Sequence, residues 1–260
     1  GVRLLDRDKR NVALTEPGRV FLEQARQILA KADEARSQVS QAAAGFSGQL
    51  RLAYTVSVTF HPSLPQTLLR FGRHAPHVRV LLSEMYTEPQ FAALLAGELD
   101  VGFVRDLPRH EADTHTLRID EIDREPLLLA LPSEHPLAAR RKIWLREVAD
   151  APFVVQPREL AATLYDRLTL IAAKADFHPL IRQHAQQING LLMLVAAGMG
   201  LALIPASMCT VSLAGVSYVQ LEDPDAYMLL AVASRRENTS PVLAQFLSVV
   251  AEARAVPNLL

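Results

Sequence analysis

Hydroxyl side chains and one arginine follow three of the predicted strands, at the point where each strand ends. Ser57 and Thr59 follow the first predicted strand, and Thr87 follows the second. Arg105 ends the third. In an open α/β sheet, ligands bind outside the carboxyl ends of the strands, where helix N-termini present free N–H groups and positive partial charge. The pattern therefore predicts a binding site for a small carboxylate on one rim of a sheet.

The segment that contains Thr87 also has the spacing of a helix start. Thr87 and Gln90 lie three residues apart and fit a capping box with the threonine at the N-cap. The alternative is that Ser57 and Thr87 are ordinary helix caps and that Arg105 is a surface residue. That alternative is the better explanation of any one of these residues alone. For all three on one rim, it and a ligand site are equally good interpretations.

Alternating strands and helices are the elements that must position these side chains. The alternation begins near residue 49 and predicts a parallel sheet with right-handed crossovers, and a second set of elements begins near residue 127. The remaining length fits two Rossmann-like α/β subdomains better than one. The strands are predicted at 49–55, 78–84, 100–104, 127–131, 153–156, 180–184, 201–204, 216–221 and 227–234. The helices are predicted at 62–74, 87–95, 143–148, 161–173, 190–197 and 241–253.

A long helix is predicted at 15–45, ahead of the sheet. Thr15 can cap its start, Pro17 is tolerated in its first turn, and Gly45 can end it. Its apolar residues repeat every 3.5 positions, which is typical of a helix that packs against another helix. These seam residues are Phe21, Ala25, Ile28, Ala32, Ala35, Val39 and Ala42. The alternative is a helix that lies on its own domain; we expect a partner helix and hence an oligomer.

The composition is that of a globular protein without a membrane segment. The formal net charge is −1, but residues 1–48 carry +2 and residues 49–260 carry −3. The positive charge of the N-terminal end is therefore the part of the chain that favours nucleic-acid binding. The single cysteine, Cys209, favours a reducing compartment. The longest apolar run, 191–206, is broken by Gly198 and Gly200. With no signal peptide in the sequence, we expect a cytoplasmic protein.

The sequence patterns of enzymes and of cofactor sites are missing. There is neither a glycine-rich phosphate loop nor a G-x-S-x-G elbow, so we expect no enzyme and no cofactor. His74 and His77 are the closest histidine pair, but Pro76 separates them and no cysteine lies nearby, so we expect no metal. Among the functions that two α/β subdomains with a binding site would allow, one is a two-lobed solute-binding protein of a transporter. An α/β enzyme ranks last.

Several stretches resemble LysR-type transcriptional regulators along essentially the whole chain. They are 3–18, which is similar to the wing and the start of the linker helix, 97–103 and 195–205. The resemblance implies a winged helix-turn-helix, a dimerising linker helix, a periplasmic-binding-protein-like effector domain of two subdomains, and a dimer of dimers. It divides this chain into a wing remnant (1–14), the linker helix (15–45), subdomain I (49–122 with 226–260) and subdomain II (123–225).

The resemblance also bears on DNA. In the family, the helices that read the major groove precede the wing, and Gly1 comes after them. The resemblance therefore implies that these 260 residues lack the base-reading helix of the winged helix-turn-helix. Operator DNA is expected as a partner of the full-length protein. Four basic residues of the wing are candidates for phosphate contacts, which position a protein but do not specify a sequence. They are Arg3, Arg7, Lys9 and Arg10. The alternative, a solvated turn, is the better interpretation for this chain, and we expect no operator-specific binding.

Some stretches resemble one branch of the family, the regulators that respond to benzoate, muconate or chloromuconate. They are 57–59, 84–87, 102–105 and 221–226. In that branch the matching serine and threonine hold the effector carboxylates, which implies this role for Ser57 and Thr87. The facing subdomain contributes a loop and a helix start, which implies Pro157, Thr163 and Leu164 here. The aromatic residue that some relatives have near Leu164 is missing from this chain.

Overall fold

The computed structural model describes residues 1–7, 12–210 and 212–254. Its first half contains β1 (Leu5–Arg7), β2 (Val12–Leu14), α1 (Glu16–Ala43), β3 (Ser47–Tyr54), α2 (Ser63–His74), β4 (His77–Glu84), α3 (Thr87–Ala96), β5 (Val101–Val104) and α4 (Glu111–Thr116). Its second half contains β6 (Leu117–Pro132), β7 (Lys142–Ile143), β8 (Pro152–Val155), α5 (Ala162–Lys174), β9 (Leu180–His184), α6 (Ile188–Ala196), β10 (Ala202–Pro205), β11 (Val216–Leu221), β12 (Tyr227–Arg235) and α7 (Pro241–Arg254). Short 3₁₀ turns lie at Val56–Phe60, Leu145–Val148 and Ala206–Thr210.

The main sheet is mixed rather than wholly parallel. Its strands follow the order β4-β3-β5-β12-β6-β11-β7, and β10 also pairs with β6. Strand β3 runs parallel to β4 and to β5, which confirms the parallel βαβαβ unit predicted from the sequence. Strand β12 is antiparallel to both β5 and β6. The carboxyl ends of β3, β4 and β5 therefore meet at one edge, where the polar residues were expected.

Two long strands join the two halves of the α/β region. Strand β6 pairs with β12 up to Pro126, and from Leu127 onward it pairs with β10. Strand β12 carries the chain back at Tyr227, which pairs with Pro126. Since both connections lie side by side, the two subdomains are linked by a narrow pair of strands.

Separate apolar clusters fill the two sides of this connection. On one side, Phe71, Phe103 and Phe246 are almost completely buried, and the rings of Phe71 and Phe246 meet edge to face with centroids 5.1 Å apart. On the other side, helices α5 and α6 pack on the sheet through Leu168, Leu191 and similar residues. Each subdomain therefore has a core of its own, which allows one to move against the other.

Two of the predicted elements differ in the structure. The helix predicted at 143–148 is wrong, because Ile143 ends strand β7 and a 3₁₀ turn follows. Ile143 and Leu145 are buried while Trp144 between them is 37% exposed, an alternation that fits extended chain better than a helix. Strand β6 begins at Leu117, ten residues before the predicted start. Its first half is rich in charged residues and is held as a strand by pairing with β12.

The long N-terminal helix is confirmed, and close contacts with the rest of the described chain lie near both of its ends. Thr15 caps it by accepting a hydrogen bond from the Gly18 N–H at 3.0 Å. A Cβ at Gly18 would lie 1.9 Å from the Leu4 carbonyl oxygen, so the β1–β2 hairpin packs tightly there. At the other end Gly45 has a φ of +81° and abuts Pro241 of α7, which leaves no space for a Cβ.

The apolar seam of α1 lies on the solvent side of the chain. Phe21, Ile28 and Val39 are 58%, 67% and 70% exposed. The helix therefore does not lie on its own domain, which was the alternative to a partner helix. Of the basic residues of the wing, Arg3 is exposed and Arg7 lies in β1. Lys9 and Arg10 fall outside the described residues.

Candidate functional site

A cavity lies between the two subdomains at the carboxyl edge of β3, β4 and β5. Its volume is ≈ 70 Å³. The lining residues are Thr55, Val56, Ser57, Tyr86, Thr87, Glu88, Arg105, Gln156, Leu160, Ala161, Ala162, Thr163, Leu164, Gln187, Ile188, Pro205 and Met228.

Ser57, Thr87 and Arg105 meet on one wall of this cavity. The Arg105 side chain donates from Nε to the Ser57 Oγ at 3.1 Å and from a terminal nitrogen to the Ser57 carbonyl oxygen at 3.1 Å. The Arg105 backbone N–H donates to the Thr87 Oγ1, also at 3.1 Å. Although the three residues come from three different segments, one arginine thus fixes the positions of both hydroxyl groups.

The direction of these hydrogen bonds determines what the two hydroxyls offer a ligand. Both oxygens accept from Arg105, and a hydroxyl that accepts one hydrogen bond still has its own proton to donate. The Oγ1 of Thr55 lies 3.4 Å from Ser57 Oγ and adds a third hydroxyl to the same wall. A group that only accepts hydrogen bonds, such as an ionised carboxylate, is complementary to this arrangement.

Arg105 itself is buried and paired, and its positive charge is balanced within the wall. It is 2% exposed, and it donates to the carboxylate of Glu125, which is 3% exposed. The second oxygen of Glu125 accepts from the Ser207 backbone N–H at 2.6 Å. Burial alone would raise the pKa of Glu125, but the Arg105 charge and the hydrogen bonds with Ser207 outweigh it and lower that pKa. Arg105 therefore serves as a rigid support for Ser57.

Helix N-termini supply the positive partial charge on the facing wall. Helix α5 begins at Ala162, and its first turn, with Thr163 and Leu164, lines the cavity. Helix α6 begins at Ile188, which also lines it. Neither helix has a side-chain cap on its first turn, so free N–H groups remain there. Free N–H groups at a helix start attract anions.

The structure separates the predicted site residues into two groups. Ser57, Thr87, Arg105, Thr163 and Leu164 line the cavity, whereas Thr59 and Pro157 are not among its lining residues. The Thr59 hydroxyl is exposed and donates to the Val56 carbonyl oxygen at 2.6 Å.

The predicted capping box is wrong. Tyr86 occupies the N-cap of α3 and Thr87 is the first helical residue. The hydroxyl of Thr87 accepts from Arg105 instead of a helix N–H. The side chain of Gln90 donates to the carbonyl oxygens of Met85 and Phe103. Thr87 is thereby free of a capping role and faces the cavity.

Sequence reasoning missed Glu125, the carboxylate of the wall, and most of the apolar lining. Glu125 could be inferred only from the rule that a buried arginine needs a buried partner, and the sequence does not show that Arg105 is buried. Met228 lies on β12, far from the other site residues in sequence. Within the described ranges, no three histidine, cysteine, aspartate or glutamate side chains are grouped to hold a metal ion. No helix in that part of the chain is long and apolar enough to cross a membrane.

Two subdomains, a cavity between them and a long N-terminal helix define an effector-binding domain with a linker helix. Residues 43–255 match the LysR substrate binding domain. The chain is 34% identical over 226 residues to the uncharacterized HTH-type transcriptional regulator YnfL of Escherichia coli (strain K12), covering 87% of this chain and 75% of YnfL. The chain therefore belongs to the LysR family of transcriptional regulators.

Solved structures agree with this assignment. The crystal structure of CbnR, a LysR family transcriptional regulator, has a TM-score of 0.83 at 28% identity, over 96% of this chain and 84% of that chain. The BenM effector binding domain with its effector benzoate has a TM-score of 0.70 at 26% identity, over 82% of this chain and 97% of that chain. These relatives are regulators and not enzymes, and they favour a regulator over a transporter protein.

Proposed function

We propose that this protein is a ligand-responsive regulator whose effector is a small carboxylate bound between the two subdomains. The observation that carries the proposal is the pair of hydroxyls of Ser57 and Thr87, both held by Arg105 so that their protons can be donated into the cavity. The carboxylate would accept from both hydroxyls and from the free N–H groups of α5 near Thr163. No catalytic group is assigned to the site.

The apolar part of the cavity favours an acid with a hydrophobic body. Val56, Leu160, Leu164, Ile188 and Met228 surround the polar wall. We place the protein in the branch that responds to benzoate, muconate or chlorocatechol-derived acids, and the fold shared with the benzoate-bound BenM domain supports this.

The proposed response is a change in the relative position of the subdomains. Subdomain I comprises 49–122 with 226–260, and subdomain II comprises 123–225. Strand β6 changes its pairing partner between Pro126 and Leu127, which supports a boundary between the subdomains close to residue 123. A ligand that contacts both walls binds one arrangement more tightly than the other and shifts the equilibrium between them. A ligand that binds both arrangements equally would switch nothing.

The exposed seam of α1 supports an oligomer that carries this change to DNA. We propose that two α1 helices pair through the seam and that two such dimers form a tetramer. Operator DNA is the proposed partner of the full-length protein, which acts in the cytoplasm where the DNA lies. Phosphate contacts from Arg3, Arg7, Lys9 and Arg10 would add non-specific affinity only.

Thermal unfolding with benzoate, muconate and chloromuconate tests the ligand class. An acid at 100 times its dissociation constant should stabilise the protein by about 2.7 kcal/mol. Benzamide, which has the shape of benzoate but no charge, is the matched control and should stabilise it much less. If none of the acids raises the unfolding temperature, the aromatic-acid proposal is contradicted.

A further inference from the structure

Helix α3 is tied to the opposite subdomain at two points beside the cavity. Its N-cap residue Tyr86 donates from its hydroxyl to the Gln186 carbonyl oxygen at 3.0 Å. Gln186 lies just before α6, and its carbonyl also accepts from the side chain of Gln156 at 2.9 Å. Burial and the nearby Glu84 raise the pKa of Tyr86, so its hydroxyl stays protonated and can donate.

The second connection is ionic. Arg109, in the segment after β5, lies 3.1 Å from a Glu88 oxygen through Nε and donates from a terminal nitrogen to Asp166 at 2.9 Å. Glu88 is in the first turn of α3 and lines the cavity, whereas Asp166 is on α5 in the other subdomain. Arg158 also donates to Asp166, at 2.6 Å. One guanidinium therefore bridges carboxylates from both walls.

These two connections act on the same helix start. Tyr86 and Glu88 flank Thr87, whose hydroxyl belongs to the polar wall, and Asp166 lies one helical turn beyond Thr163 on the facing wall. The contacts of Tyr86 and Arg109 therefore influence the separation between Thr87 and Thr163. Neither Tyr86 nor Arg109 contributes a hydroxyl to the polar wall. A planar guanidinium suits this bridge because its several N–H groups point to different partners at once.

We propose that Arg109, together with Tyr86, is a positioning clamp that holds the two subdomains closed over the cavity. Arg109 sets the spacing between the α3 and α5 helix starts and is the part of the clamp that salt weakens. This inference deepens the proposed function, on which its biological meaning rests, but the clamp itself is tested without a ligand.

The test is a distance measurement between spin labels on α3 and α5 in the full chain. Cys209→Ser removes the single cysteine, and Ala92→Cys with Ala173→Cys places labels on exposed positions of the two helices. Dilution with unlabelled protein restricts the measurement to one chain. We expect a narrow distribution for the parent protein and a longer or broader one for Arg109→Gln, with Arg109→Lys in between.

Distance measurements at high ionic strength distinguish a positioning role of Arg109 from a merely structural one. At 1 M salt the Debye length is about 3 Å, so the parent distribution should move towards that of Arg109→Gln, which itself should stay unchanged. Arg118→Gln is the matched control, because Arg118 forms an exposed ion pair with Asp120 inside one strand. It should leave the distances as they are. Tyr86→Phe should broaden the distribution at every salt concentration.

The unfolding temperatures of the Arg109 and Arg118 variants should remain within about 2 °C of the parent, since exposed ion pairs contribute little to global stability. An unchanged distribution in Arg109→Gln would overturn the clamp and leave the carboxylate proposal intact. Conversely, a broadened distribution in a protein that no acid stabilises would support the clamp and contradict the proposed ligand class. The two proposals therefore fail independently.

Discussion

Arg105 donates its Nε–H to the hydroxyl oxygen of Ser57 at 3.1 Å, and this contact connects the buried charge of the site to the surface that lines the cavity. The guanidinium points to Glu125 and to Ser57 rather than into open space. A cationic residue at the end of a strand is therefore used here to hold a neutral donor in place. The wall that results is polar and rigid, and its net charge is close to zero.

The pair of Arg105 and Glu125 should be essential for stability. Glu125→Gln leaves a buried guanidinium without its counter-charge, which typically costs about 3–5 kcal/mol. Chemical denaturation should show this loss as a lower midpoint with an unchanged slope. Glu121→Gln is the matched control on the same strand, because Glu121 pairs with Arg124 at the surface and should matter little. A Glu125→Gln protein as stable as the parent would contradict a charged pair in the wall.

Asp100 should contribute to stability in a pH-dependent way. Burial alone would raise its pKa, but hydrogen bonds from Arg51, at 2.7–3.1 Å, outweigh it and lower the pKa. A carboxylate with a lowered folded-state pKa stabilises the fold above its unfolded pKa of about 3.9, and this contribution is lost as the pH falls through the folded value.

Asp100→Asn should therefore destabilise the protein by about 1.5 kcal/mol at pH 7. The difference from the parent should shrink as the pH falls below about 4. Urea unfolding at a series of pH values measures it, with the exposed Asp150→Asn as control. A difference that is constant across the whole pH range would show that the Arg51 contact does not depend on the carboxylate charge.

The seam of α1 should control assembly. Ile28→Glu places a charge in the middle of the exposed apolar seam and should dissociate the proposed oligomer, since a charged residue cannot be buried between paired helices without a partner. Ala30→Glu, on the outer face of the same helix, should leave the assembly intact. Sedimentation velocity distinguishes the species. Equal sedimentation of both variants and the parent would mean that the seam does not pair.

The positions of the strands and the polar rim could be predicted because they follow from local patterns. The alternation of apolar residues located β3, β4 and β5, and the rule for the carboxyl ends of parallel strands then brought Ser57, Thr87 and Arg105 together. The seam of α1 was predictable for the same reason, since a repeat of 3.5 residues is visible within one element. These features need no knowledge of distant contacts.

The features that sequence reasoning missed depend on partners far along the chain. Residues 118–125 are mostly charged and carry no strand pattern, yet they form half of β6 because β12 pairs with them. The role of Glu125 depends on the burial of Arg105, which only the packed structure reveals. Thr87 was predicted as a cap from its spacing to Gln90, but both side chains bond elsewhere.

The most direct test of the proposed site is calorimetric titration of the acid that stabilises the protein most, into the parent and two variants. The double variant Ser57→Ala with Thr87→Ala removes both hydroxyl donors and should weaken binding by at least about 100-fold, since hydrogen bonds to a charged group contribute about 1.5–3 kcal/mol each. Thr59→Ala removes a hydroxyl of the same 3₁₀ turn outside the cavity and should change the affinity by less than about 0.5 kcal/mol. Unaltered binding to the double variant would contradict the site proposed here.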